Sequence, residues 1–164
     1  MDDLPANRVA LYDAVIEFPM APVRLGITLT GDALSGIAFV DDATALRVPL
    51  TPLATAVVEQ LQTYLRNPSF QFRLPLFARG TVFQKRVWQA MVGIPAGETR
   101  TYGDIAQLLN SGPRAVGGAS RANPLPVIVP CHRIVGKHGQ GGFMGGATNS
   151  QAIKAWLLSH EREV

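Results

Sequence analysis

The only cysteine of the chain follows a stretch whose backbone has little conformational freedom. Residues 127–129 are all β-branched, and such side chains favour extended backbone. Pro126 and Pro130 flank this run, and each fixes φ and removes a backbone donor, which favours a rigid loop over a helix. The sequence therefore predicts a short buried strand or extended segment that ends in a rigid turn and holds Cys131 at the edge of a core.

The chemical role of Cys131 is open from this pattern alone. A free cysteine is most often a small buried apolar residue. His132 follows it directly, and thiolate chemistry needs a nearby base or cation because a free thiol has a pKa of about 8.5. Residues adjacent in sequence need not face each other, so both a structural cysteine and a nucleophile are compatible with the pair.

Length and composition limit the class of protein. The 164 residues suffice for one sizeable core or two small ones. A hydrophobic content of 47% and a mean hydropathy of +0.14 are typical of a compact globular protein. We find no bilayer-length apolar run and no signal-peptide pattern, and one cysteine cannot form an internal disulfide. We therefore expect a cytoplasmic protein with no membrane partner.

Charge is divided unevenly along the chain. Residues 1–76 carry five arginines and eight carboxylates, a net charge of −3, whereas residues 77–164 carry ten lysines or arginines and four carboxylates, a net charge of +6. Positive charge collected in one half is typical of a protein that binds a polyanion, most simply nucleic acid. A solvated basic surface would give the same count, so charge alone leaves both interpretations open.

The first 76 residues have the pattern of a small α/β scaffold domain. Four runs have strand character: residues 14–18, 23–30, 34–40 and 70–74. Thr51 and Pro52 predict the start of a helix that extends to about Arg66 and has an apolar stripe at four-residue spacing. We find no chemical motif in this part of the chain.

From residue 77 onward the pattern is mostly helical. Thr-x-x-Gln and Thr-x-x-Asp capping boxes predict helix starts at Thr81 and Thr101. A third helix is expected from Pro113, after a turn at residues 110–112, to about Ala122. Two short helices joined by a glycine-containing turn, the second of them basic, are typical of a helix-turn-helix, although many such hairpins bind nothing.

The third helix contains adjacent glycines, Gly117 and Gly118, each of which costs about 1 kcal/mol relative to alanine in a helix. With Ala119 they predict a nearly bare face on which another backbone can lie close. Arg114 and Arg121 at the two ends favour DNA over a second helix as that backbone.

A last helix is expected after the glycine-rich residues 136–146, with Asn149 as its cap. Glu161 falls near its C-terminal end, where a carboxylate opposes the helix dipole. That position favours a specific partner for Glu161, with a solvated surface acid as the alternative.

Five motifs now occur in order at compatible spacing: Thr101-Tyr102-Gly103-Asp104-Ile105-Ala106, Arg114-Ala115-Val116-Gly117-Gly118-Ala119, Asn123-Pro124, Pro130-Cys131-His132-Arg133 and Lys154-Ala155-Trp156-Leu157-Leu158. Together they resemble the O6-alkylguanine-DNA alkyltransferases, which are methylated-DNA–protein-cysteine methyltransferases. The match covers about residues 81–164, and the first 76 residues resemble the family in general pattern only. The resemblance implies an α/β protein: an RNase H-like N-terminal domain, residues 1–76, and a mostly helical domain with a helix-turn-helix, residues 77–164.

The resemblance also implies the reaction. One alkyl group passes irreversibly from O6-alkylguanine, or from O4-alkylthymine, in double-stranded DNA to Cys131, after the damaged nucleotide has been turned out of the stack. The product is a thioether, so each molecule acts once. No cofactor and no metal are implied, because the zinc of some relatives requires several cysteines. A monomer is expected, and cooperative binding along DNA is left open.

Residue roles follow from the same resemblance. Cys131 is the acceptor, His132 acts on it through a bridging water, and Glu161 orients His132; Asn123 is a hinge, and Tyr102 turns the nucleotide's phosphate and donates a proton to the base. Arg114 fills the space that the base vacates, within a DNA-binding set of Thr101, Tyr102, Arg114, Gly117, Gly118, Ala119, Ser120 and Arg121. The base pocket is formed by Pro126, Cys131, Ile134, Met144 and Lys154, in which the carbonyls of Cys131 and Ile134 contact the guanine amine.

Two departures from the family pattern border this pocket. The segment between Gly145-Gly146 and Lys154 is about four residues longer than usual, and Met144 stands where relatives often carry a small residue. The range of alkyl sizes is therefore left open.

Other classes of protein explain less of the sequence. A relative that binds alkylguanine without reacting would have no need of Cys131, and a plain helix-turn-helix regulator would have no need of the Pro-Cys-His-Arg turn. A thiol hydrolase would give no role to Arg114 or to the paired glycines. A metal site is conceivable, but the spacing fits no ligand pattern for Cys131, His132, His138 and His160.

Overall fold

The computed structural model describes residues 11–143 and 149–162. The chain divides into two compact units, residues 1–78 and 79–164. Both strands and helices occur, which confirms the mixed α/β class expected from the sequence. Among the described residues, the helices are all too short or too polar to cross a membrane.

The first unit contains an antiparallel sheet and one long helix. Strands β1 (Ala14–Glu17), β2 (Arg24–Thr30) and β3 (Ala33–Val40) pair in that order. Helix α1 (Pro52–Arg66) begins where the Thr51 side chain accepts a hydrogen bond from the Ala54 amide at 3.1 Å. Of the apolar stripe expected at four-residue spacing, Val57 and Leu61 are buried, whereas Leu53 and Leu65 are only half-buried. The buried face of the helix consists of Ala54, Val57, Val58, Leu61 and Tyr64, because residues three and four apart return to one face.

The strand expected over residues 70–74 is absent from this unit. The side chain of Gln60 on α1 takes its place: its Oε1 accepts from the Arg73 amide at 2.9 Å, and its Nε2 donates to the Arg73 carbonyl at 3.1 Å. Phe72 packs against the Tyr64 ring with centroids 5.6 Å apart. The prediction was wrong because a helix side chain satisfies backbone groups that a strand would offer to a neighbouring strand.

The second unit is mostly helical and carries a minimal parallel sheet. Its elements are α2 (Val82–Val92), β4 (Arg100–Thr101), α3 (Tyr102–Leu108), α4 (Pro113–Arg121), a 3₁₀ turn (Cys131–Arg133), β5 (Ile134–Val135) and α5 (Ser150–Glu161). β4 pairs with β5 through Arg100 with Ile134 and Thr101 with Val135. This pairing places the start of α3 beside the turn that contains the cysteine.

Helix ends in the second unit follow the sequence in two cases and depart from it in one. Both predicted capping boxes are complete, at Thr81 with Gln84 and at Thr101 with Asp104. Asn149 precedes α5 in a left-handed conformation with φ of 66°, and its side chain makes no capping hydrogen bond. The expectation that Asn149 caps the helix was therefore wrong, because in this backbone conformation the side chain does not reach the first-turn amides.

Candidate active site and DNA-facing surface

A closed turn, not a strand, leads to the cysteine. The Asn123 side chain donates to the Val129 carbonyl and accepts from the Leu125 amide, both at 2.9 Å, and the Val129 amide donates to the Leu125 carbonyl at 2.8 Å. Val127 has φ of 75°, which is rare for a β-branched residue. The predicted extended segment at residues 127–129 was wrong because Asn123 bonds to Leu125 before the run and to Val129 at its end, which closes the backbone into a turn. The three side chains of the run are nevertheless buried as expected.

This turn delivers Cys131 to a nearly closed site. The residue is 4% exposed, and burial raises the pKa of its thiol to about 11, against the opposing effects of a hydrogen bond from Asn123 and the Lys154 cation. At neutral pH such a thiol is ionised in roughly one molecule in ten thousand. Any nucleophilic use of Cys131 therefore needs a base that removes its proton.

His132 is placed and paired as such a base requires. Its Nε2 lies 2.8 Å from Glu161 Oε2, and the two residues are 0% and 1% exposed. Burial lowers the pKa of His132, and Glu161 only partly opposes this, so the imidazole is neutral and its Nε2–H donates to the carboxylate. Nδ1 is then a free acceptor, and it is buried without a hydrogen-bond partner among the described residues.

Arg133 completes this cluster, although sequence analysis gave it no role. Its Nε donates to Glu161 Oε1 at 2.8 Å and its Nη2 to Glu161 Oε2 at 2.9 Å, a bidentate pair, while its Nη1 donates to the Ile94 carbonyl. The sequence feature that could have indicated a role for Arg133 was Glu161, because a carboxylate at a helix C-terminus is unfavourable unless a cation from another segment pairs with it.

Lys154 and Tyr102 share one carbonyl beside the cysteine. Lys154 is fully buried, and its Nζ donates to the carbonyls of Ile134 at 2.6 Å and Gly142 at 2.8 Å; burial lowers its pKa to about 8. The Tyr102 hydroxyl donates to the same Gly142 carbonyl at 3.3 Å, and burial raises the Tyr102 pKa. Lys154 Nζ also lies 5.9 Å from the centroid of the Tyr102 ring, so the two side chains lie close together.

A cleft of about 570 Å³ opens in front of α4. This volume lies within the roughly 300–1,000 Å³ of ligand clefts. Its walls are formed by Tyr102, Pro113, Arg114, Gly117, Ser120, Arg121, Gly142 and Phe143. Both arginines are exposed, so the cleft presents positive charge to solvent. A Cβ at Gly118 would meet nothing within 4 Å, whereas one at Gly117 would meet the Tyr102 ring at 3.9 Å.

Some expected site residues lie elsewhere. Ala119 is 3% exposed, and its carbonyl accepts from Trp88 Nε1 at 2.8 Å, so the expectation that its side chain extends the bare face is corrected: it anchors α4 to α2. Thr101 Oγ1 accepts from the Asp104 amide at 3.0 Å as the α3 cap. Pro126 is buried in the turn, and Met144 lies outside the described residues.

Comparisons with known proteins agree on one family. Residues 82–163 match the family model described as "6-O-methylguanine DNA methyltransferase, DNA binding domain". A constitutive methylated-DNA–protein-cysteine methyltransferase of Bacillus subtilis is 46% identical over 68% of both chains, and a methylated-DNA–protein-cysteine methyltransferase of Methanosarcina mazei is 36% identical over 92% of this chain and 97% of its own. A Mycobacterium tuberculosis OGT crystallised in complex with DNA superposes with a TM-score of 0.74 at 32% identity, covering 91% of this chain and 93% of that one.

Proposed function

The chain belongs to the 6-O-methylguanine DNA methyltransferase family, and from that premise we propose that it repairs alkylated double-stranded DNA directly by taking the alkyl group onto Cys131. It is a DNA-binding methyltransferase of DNA repair, as its relatives are named. The proposed substrates are O6-alkylguanine and O4-alkylthymine. The protein is proposed to act as a cytoplasmic monomer, since a free thiol stays reduced in the cytoplasm.

The unpartnered Nδ1 of His132, in the residue next to a buried thiol, is the observation that supports this proposal most strongly. A water between Cys131 Sγ and His132 Nδ1 would carry the thiol proton to the imidazole. Glu161, at 2.8 Å from Nε2, stabilises the imidazolium that forms. The arrangement follows the logic of a nucleophile, a base and an orienting carboxylate.

The transfer step conserves atoms and charge. The Cys131 thiolate attacks the alkyl carbon, the new S–C bond forms as the C–O6 bond breaks, and the electron pair of that bond remains on the guanine. Tyr102, whose hydroxyl faces the cleft wall at Gly142, donates a proton to the leaving base. The product is a stable thioether on Cys131, so each protein is proposed to repair one lesion.

DNA is proposed to bind along the cleft. Helices α3 and α4, separated by residues 109–112, would act as a helix-turn-helix whose second helix lies in the minor groove. The open side of Gly118 permits close approach of a DNA backbone. Arg114 would enter the base stack where the damaged nucleotide has rotated out, and Arg121 and Ser120 would contact the backbone.

The base pocket is proposed to lie behind the cleft, next to Cys131. The carbonyls of Cys131 and Ile134 would accept from the guanine amine; the second already accepts from Lys154, and a carbonyl has a further lone pair. Lys154 thereby holds the pocket wall, with Pro126 in the turn below. Residues 77–164 would perform the repair, and residues 1–76 would form an RNase H-like scaffold.

The proposal is tested by the intact mass of the protein after mixing with a duplex that carries one O6-methylguanine, followed by peptide mapping. We expect a gain of one methyl group on Cys131 that saturates at one per protein. Cys131→Ser is the matched control, because it should bind the duplex and gain no mass.

The alternative function is binding of alkylguanine without reaction, as a mark for another pathway. A wild-type protein that binds the lesion and keeps its mass would establish that alternative. Absence of both binding and mass gain would contradict both functions.

A further inference from the structure

Arg133 lies at the centre of the buried cluster and spans three segments of the second unit. Its guanidinium bonds both oxygens of Glu161 at the end of α5 and the carbonyl of Ile94 after α2. The side chain is 12% exposed and its partner Glu161 is 1% exposed. A bidentate, largely desolvated pair of this kind is strong and geometrically specific.

The pair determines what His132 can do. Glu161 Oε2 accepts from both Arg133 and His132 Nε2. Because Arg133 balances the carboxylate, the imidazole is not needed as its counter-ion and can stay neutral. Because that carboxylate is ionised and can only accept, the ring proton is held on Nε2 and the lone pair on Nδ1.

We propose that Arg133 is a positioning residue for alkyl transfer, which keeps Glu161 ionised and His132 in the neutral, Nε2-protonated form so that Nδ1 can receive the proton of Cys131. This inference rests on the proposed function and adds a residue to its base. In the step itself the proton leaves Cys131 Sγ and arrives, through one water, at His132 Nδ1, and Glu161 remains an anion throughout.

The charged groups around His132 act on its protonation in opposite directions. Helix α5 brings Glu161, which favours the imidazolium, and Lys154, which opposes it; Arg133 on the turn itself also opposes it. The end of α2, also packed against the turn, brings the uncharged Ile94 carbonyl, which faces Arg133. Removal of Arg133 therefore shifts the balance towards a protonated cluster.

Two protonated forms of the cluster are accessible without Arg133. Either His132 becomes a cation paired with Glu161, or Glu161 becomes neutral and its O–H donates to Nε2, which moves the ring proton to Nδ1. Both forms remove the acceptor from Nδ1. Both are favoured by falling pH, so the loss of rate must grow as the pH falls.

The first experiment measures the single-turnover rate of methyl transfer from pH 5.5 to 9 for wild type, Arg133→Leu and Arg133→Lys, with Arg100→Leu as the control. Arg100 pairs with Glu98 at the surface of the same unit. For Arg133→Leu we expect the rate to rise roughly tenfold per pH unit up to an inflection that lies at higher pH than that of wild type, while Arg100→Leu follows wild type. Arg133→Lys keeps the positive charge but cannot form the bidentate pair with Glu161. Its methyl-transfer rate should therefore be lower than that of wild type at every pH, with the same pH profile.

The second experiment needs neither DNA nor activity. Nitrogen-15 spectra of the His132 ring in the free protein report its charge and tautomer, and we expect the neutral Nε2–H form in wild type at pH 6.5. In Arg133→Leu, or in Arg133→Gln if the leucine variant does not fold, we expect the cation or the Nδ1–H form. An unchanged ring with an equal loss of rate at every pH would overturn the proposal and make Arg133 a structural brace; a wild type that accepts no methyl group would instead overturn the function.

Discussion

The active-site turn, residues 123–135, and the exposed face of α4 belong to the same unit but use polar side chains in opposite ways. In the turn, Asn123 and Arg133 each make at least two hydrogen bonds at 2.9 Å or shorter, and Glu161 on α5, which packs against the turn, accepts two of those from Arg133. On α4, Arg114 and Arg121 extend into solvent at the walls of the cleft. The first region is fixed before a substrate arrives, and the second is free to adjust to one.

This difference matches the two tasks of a DNA-repair protein. Chemistry gains from donors and acceptors whose geometry is set in advance, because no reorganisation is then needed in the transition state. Binding to DNA gains from exposed cations, because phosphate contacts act through long-range charge and released counterions. The expected effects of mutation follow the same division: stability should change in the turn and binding on the helix.

The largest effect on stability is expected for Glu161→Gln. The change leaves the Arg133 cation, which is 12% exposed, without its counter-charge, and breaking one partner of a buried pair costs about 3–5 kcal/mol. Glu98→Gln is the matched control, because it removes a carboxylate from an exposed ion pair in which Arg100 is 41% and Glu98 is 52% exposed. Such a surface pair contributes about 0–1 kcal/mol to stability. Urea unfolding of both variants measures the difference.

Equal losses in Glu161→Gln and Glu98→Gln would contradict the contrast between a fixed interior and an adjustable surface. The rate of methyl transfer gives an independent check on the same proteins. It should fall strongly in Glu161→Gln and stay at the wild-type value in Glu98→Gln.

A smaller loss is expected for Asn123→Ala. The change leaves the Leu125 amide and the Val129 carbonyl without their partner. An unsatisfied buried group costs about 1–3 kcal/mol, and because Asn123 is only half-buried, water can replace part of the lost bonding, so we expect about 1 kcal/mol for each group. Asn123→Asp separates the two bonds, since its carboxylate still accepts from the Leu125 amide but cannot donate to Val129. We expect its free energy of unfolding, measured in urea, to lie between those of wild type and Asn123→Ala, and an alanine variant as stable as wild type would show that Asn123 does not hold the turn.

The sequence predicted those elements whose signals are local. Thr81 and Thr101 begin helices because the partners of their capping boxes lie three residues away. The centre of the predicted stripe on α1, Val57 and Leu61, is buried for the same reason. The motif resemblance brought together Cys131, His132 and Glu161, and the structure places the last two in contact at 2.8 Å.

What the sequence missed depends on contacts between distant residues. The 70–74 segment is satisfied by Gln60 on another element, and propensity gives no information on such a partner. Val127 takes a left-handed φ because Asn123 closes the turn around it, against the extended preference of its own side chain. Arg133 pairs with a residue 28 positions away, and its bidentate geometry appears only when α5 is packed.

A pH effect should distinguish the buried site further. Burial raises the Cys131 pKa from 9.0 to about 11, so its contribution to stability falls as pH rises above 9; burial lowers the Lys154 pKa from 10.5 to about 8, so its contribution rises with pH above 8. Between pH 9 and 10 the contributions of Cys131 and Lys154 change in opposite directions, and in Cys131→Ser only the contribution of Lys154 remains. We expect its free energy of unfolding to rise by about 1.4 kcal/mol over that pH unit while wild type changes little.

The double variant Cys131→Ser, Lys154→Met is the control for this effect, because it lacks both groups and should show no rise. A rise of the same size in the double variant would assign the pH dependence to other groups. Urea titrations at pH 9 and 10 suffice for all three proteins.

The smallest effect on stability is expected on α4, where binding should change instead. Arg114→Ala removes an exposed side chain at the cleft wall, and surface substitutions usually change stability by less than about 0.5 kcal/mol. Lys85→Ala removes the same charge from the exposed side of α2, outside the cleft. If Arg114 enters the base stack, its loss should slow repair of a lesion in a duplex far more than methyl transfer from the free base O6-methylguanine, because only the duplex requires rotation of a nucleotide. Lys85→Ala should change neither rate. If Arg114→Ala lost the same rate on both substrates, Arg114 would act in the chemistry at Cys131, and the contrast between the turn and α4 would be contradicted.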